Sequence, residues 1–132
     1  MKKNDLRNWL DSEYDKAWEA YLQAFIKSDQ AFSANLKEHY QQQVTKFRVL
    51  SNYLWMQLNA VESDKNKEDW IVEELREFYD EGLDLVDKSQ RDGNETTEVE
   101  GINKKLRNNH IISSFLIEEL KKEGEEDAGK AL

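Results

Sequence analysis

The sequence predicts an all-α fold, an antiparallel up-and-down bundle of four helices with a frayed C-terminal tail. Pro is absent and only five Gly occur in 132 residues. A β-rich domain needs more turns than these breakers supply. Apolar residues instead recur three and four apart, the helical period. The 38% hydrophobic content, 11% aromatic, is enough for one core despite 36% charged residues. One domain is expected over residues 1–124, with a flexible tail over 125–132.

The first helix is expected from Asp5 to about Lys27, on Leu6, Trp9, Leu10, Tyr14, Ala17, Trp18, Tyr21, Leu22, Ala24, Phe25 and Ile26. Ser28 and Asp29 offer a cap for a second helix, and a continuous kinked helix is the alternative. The second pattern comprises Phe32, Leu36, Tyr40, Phe47, Leu50, Leu54, Leu58 and Val61, with Val44 filling the gap. It is close to a heptad seam, about 50 Å long at 1.5 Å per residue.

A third helix is expected after Asp64 or Asn66 as cap. It directs Trp70, Ile71, Leu75, Phe78, Tyr79, Leu83, Leu85 and Val86 inward. Gly82 lies within it, and close approach of a neighbouring helix would explain a Gly there, as would chance. The polar stretch Lys88 to Glu95 predicts a loop, and Thr97 with Glu100 has the form of a capping box. The fourth helix presents Val99, Ile102, Leu106, His110, Ser113, Ile117 and Leu120, widened by Ile111, Ile112, Phe115 and Leu116. Its end is expected near Gly124. Short connections imply antiparallel neighbours.

Cys is absent, which excludes disulfides and Cys-ligated metal. No apolar run resembles a signal peptide or a membrane span, so a cytoplasmic location is expected. The net charge of −9 is uneven: residues 1–60 hold eight basic and seven acidic side chains, residues 61–132 eleven and twenty-one. Such acidity disfavours direct contact with nucleic acid or an anionic membrane.

Motifs for chemistry fail one by one. A di-iron bundle needs Glu three residues before His, where Leu36 precedes His39 and Arg107 precedes His110. The two His are too distant in sequence for a helical metalloprotease, and neither has an Arg at helical-ribonuclease spacing. Asp92 begins a stretch like a calcium loop. Thr97 then stands where Gly is required, and Asn103 where Glu is required. The glycines are too dispersed for a phosphate-binding loop. Both His are expected to be partly buried with satisfied polar atoms. No catalytic residue, metal ligand or cofactor is predicted.

Two features point to binding. Glu73, Glu77, Asp80, Glu81, Asp84 and Asp87 recur at three and four and share a face of the third helix. Such a row suits a basic partner or imitates phosphate spacing, although most acidic faces are merely solvated. The segment 47–61 holds one charge, Arg48, and apolar groups on all sides. Tyr53, Trp55 and Met56 must therefore be covered by the chain or form an interface.

The expected function is a non-enzymatic protein-interaction module, a small regulator, adaptor or inhibitor, with a homodimer as one form. An acidic nucleic-acid mimic that inhibits a DNA- or RNA-binding protein is the alternative. A small-ligand or metal-binding bundle is the third reading. The Lys- and Asn-rich composition suggests an AT-rich genome, bacterial or of a mobile element.

Overall fold

A computed structural model describes the backbone of residues 5–61, 65–90 and 96–131, and the side chains of 6–61, 65–90 and 98–124. Among the described residues there are four helices and no strand: α1 (Asp5–Gln30), α2 (Ala34–Ala60), α3 (Lys67–Ser89) and α4 (Thr96–Ala131). The all-α expectation holds. The chain divides into two compact units, Met1–Asn66 with α1 and α2, and Lys67–Leu132 with α3 and α4.

In the first unit, helices α1 and α2 are separate. Ala31, Phe32 and Ser33 join them, and Ser33 adopts extended backbone (φ −117°, ψ 154°) as the N-cap. Its Oγ accepts a hydrogen bond from the Leu36 amide at 3.1 Å, an interaction that contributes about 1 kcal/mol. The expected cap at Ser28 is corrected, because Ser28 lies buried inside α1. It continues a line of small buried residues, Ala17 and Ala24, on the side of α1 that packs inward. Phe32, expected to begin the second stripe, stands in the connection and is 103% exposed.

Partner positions show that the pair is antiparallel. Tyr14 meets Trp55, with ring centroids 5.4 Å apart, and Lys27 lies 5.9 Å from the centre of the Tyr40 ring. As one helix number rises the other falls. The core here is formed by Leu6, Leu10, Leu50, Tyr53 and Leu54 with the small residues of α1. The α2 seam is therefore buried most deeply in its C-terminal half.

The second unit repeats the hairpin. Lys67 at the start of α3 pairs with Glu123 late in α4. Asn109 in mid-α4 donates its amide to the Phe78 carbonyl at 2.8 Å. Trp70, Ile71, Leu85, Ile112 and Leu116 are buried, as is Glu119, which pairs with Lys122 at 3.3 Å.

Helix α4 continues past its expected end at Gly124 to Ala131. One Gly costs a helix about 1 kcal/mol but does not forbid its backbone angles. The neighbouring Glu, Lys and Ala are good helix formers. Asp64 and the loop residues 91–95 lie outside the described residues, as does the side chain of Thr97.

Candidate protein-interaction surface

The apolar segment of α2 is only partly enclosed. Tyr53 is buried, whereas Trp55 is 53% and Met56 66% exposed. Trp55 tilts against the Tyr14 ring of α1 and is otherwise half exposed. Helix α1 departs further from expectation. Trp18, Leu22, Phe25 and Ile26 are all about half exposed. Trp18 stacks on Tyr21 at 5.5 Å, and Tyr21 tilts against Phe25 at 6.5 Å. These rings shield one another along the helix, a pattern that residue spacing alone reads as core.

A further departure lies in α3. Trp70, Ile71 and Leu85 are buried as expected, but Tyr79 is 68% and Leu83 55% exposed, with Val86 also open. A helix advances 100° per residue, so these two sets occupy different sides of the cylinder. Helix α4 divides in a related way. The widening residues Ile112 and Leu116 form the core, while the seam residues Leu106, Ser113, Ile117 and Leu120 turn elsewhere.

The second faces of α3 and α4 meet along a groove of about 770 Å³. Its walls are apolar side chains from both helices, among them Leu75, Phe78, Leu83, Leu106, Ile117 and Leu120. Arg76, Asp80, Asn109 and Ser113 supply the polar part of the lining, and Ser113 donates to the Asn109 side-chain oxygen at 3.2 Å. Since the Asn109 amide is occupied by the Phe78 carbonyl, this polar spot is largely satisfied internally. The groove presents apolar surface more than hydrogen-bonding chemistry.

Gly82 lines the same groove. A Cβ added there would stand 3.9 Å from the Asn109 side-chain atoms, an ordinary contact. Of the two explanations for this Gly, tight helix approach is therefore not the one the structure supports. Gly82→Ala is expected to raise stability by about 1 kcal/mol through helix propensity and a less free unfolded chain. Urea denaturation checks this, and a loss of stability would contradict it.

All six members of the acidic row are exposed: Glu73, Glu77, Asp80, Glu81, Asp84 and Asp87. Asp84 pairs with Lys88 at 3.0 Å. The row spans about four helical turns, roughly 20 Å, and Asp80 also lines the groove. The structure thus sets the acidic row beside an apolar groove that the sequence reading, with Tyr79, Leu83 and Val86 directed inward, did not predict. The acidic face borders an apolar channel.

His39 and His110 are exposed, correcting the expectation of partial burial. His39 meets the Tyr40 ring edge-on at 5.3 Å. Among the described residues no group of three or more His, Asp or Glu is placed to hold a metal ion. No described helix is long and apolar enough to cross a membrane. No protein-family model, curated protein or solved structure shows a significant match to this chain.

Proposed function

We propose that this chain is a non-enzymatic protein-interaction module that acts in the cytoplasm through the apolar groove of α3 and α4. The carrying observation is the exposure of Tyr79, Leu83, Val86 and Ile117 beside that groove. Large apolar side chains gathered on one surface mark contact sites more often than chance exposure does. Fully covering one Leu or Val contributes about 1.5–3 kcal/mol, so several together supply the core of an interface. Trp55 and Met56 on α2 and Trp18, Leu22, Phe25 and Ile26 on α1 are exposed as well.

Capture from extracts of the cells that encode the chain tests this reading. The wild type is expected to retain a protein that Leu83→Asp loses and Met56→Asp keeps. Retention by both variants would overturn the groove as the contact. The exposed acidic row favours a second reading, a mimic of nucleic acid. That reading predicts a captured nucleic-acid-binding protein, released steeply by salt and indifferent to Leu83→Asp.

A further inference from the structure

We infer that the groove receives an amphipathic helix of a partner protein, apolar along one stripe and basic along the flank that meets α3. The inference rests on the interaction reading above and specifies the chemistry of the occupant. The α3 residues that line the channel extend from Val72 to Val86, a length of about 21 Å. Packed helices lie about 8–10 Å apart, and a helix in a groove anchors itself through residues three, four and seven apart. A groove of this length with a mainly apolar lining suits about four turns of such a helix.

Charge settles which flank carries the basic residues. Helix α3 has nine acidic and three basic side chains, whereas residues 98–124 of α4 have five of each. Asp80 of the exposed row lines the groove beside Arg76, and the rest of the row lies on the adjoining side of α3. Lys or Arg on the facing flank would complement it, hasten encounter and fix the direction of docking. A second copy of this chain is the poorer occupant. Each copy carries a net charge of −9, so two copies repel.

The test uses the full chain and synthetic helices of about 18 residues, roughly the length of the channel plus a turn. The first peptide has Leu at helical anchor spacing and Lys on one flank. A second replaces Lys by Glu, and a third scrambles the first so that no apolar face forms. Fluorescence anisotropy is expected to show the first binding at least about tenfold tighter than either other, a difference that paired surface charges and an apolar anchor face each supply.

Leu83→Asp is expected to remove most of that binding. Asp80→Lys with Asp87→Lys, exposed changes that leave the core intact, is expected to shift preference towards the Glu-flanked peptide. Circular dichroism confirms that both variants remain helical. Equal binding of ordered and scrambled Lys peptides would overturn the inference, since the acidic row would then act alone. Tight binding of the Glu-flanked peptide, lost in Leu83→Asp, would overturn the basic partner while leaving the groove as an interaction site. A dimer dispersed by Leu83→Asp, with no peptide bound, would assign the groove to a second copy. A monomer that binds none of the peptides would overturn the inference outright, while capture of a Leu83-dependent protein decides separately whether the groove is a contact.

Discussion

Trp70→Ala is expected to destabilise the protein by about 3–5 kcal/mol, the usual cost of truncating a buried aromatic side chain. Trp70 is buried early in α3, beside fully buried Ile71. Removing an indole leaves a hole that neighbouring backbone fills only partly, so lost contacts add to the lost transfer energy. Domains of this size are stable by about 5–15 kcal/mol, and the variant therefore loses a large share of the total. Urea unfolding should show a lower midpoint with a similar slope. A change below about 1 kcal/mol, typical of a surface site, would mean that Trp70 is not buried as described.

Leu54→Ala in α2 is expected to cost about 2–5 kcal/mol. Leu54 is wholly inaccessible to solvent and lies in the α2 segment with buried Leu50 and Tyr53. Its immediate neighbour Trp55 is half exposed. The pair makes an internal comparison: a helical rotation of 100° separates a core position from an open one. Trp55→Ala should accordingly cost much less than Leu54→Ala when both are measured by the same denaturation.

Helix number and type were legible in the sequence because the absence of Pro and the spacing of Leu6, Leu10, Leu54 and Ile71 point the same way. The position of the α1–α2 break was less so. Ser28 and Ser33 are equally good capping residues by type, and only Ser33 adopts the extended backbone that capping requires. Ser28 is small enough to sit with Ala17 and Ala24 on the buried side of α1. Capping preference gave way to packing.

The site was legible in its parts and not in their relation. Residues 47–61 drew attention because they lack charge, yet Tyr53 is buried and only Trp55 and Met56 remain open. A further exposed surface lies on α3, where charged residues separate the apolar ones in sequence and conceal their number. Periodicity identifies Tyr79, Leu83 and Val86 as regularly spaced apolar residues; it does not say whether a neighbouring helix covers them. A helix with apolar residues on two sides can satisfy one with its hairpin partner and leave the other open. Acidic residues along the adjoining side keep such a surface soluble, which explains how the two features coexist.

Methyl-resolved NMR of the full chain, titrated with the Leu- and Lys-bearing peptide, tests the central claim most directly. Resonances of Leu75, Leu83, Val86, Leu106, Ile117 and Leu120 should shift together and saturate, while Leu6, Leu10 and Leu54 stay in place. Saturating shifts confined to residues around Trp18 or Met56, or no saturable shift at all, would contradict a docking channel between α3 and α4.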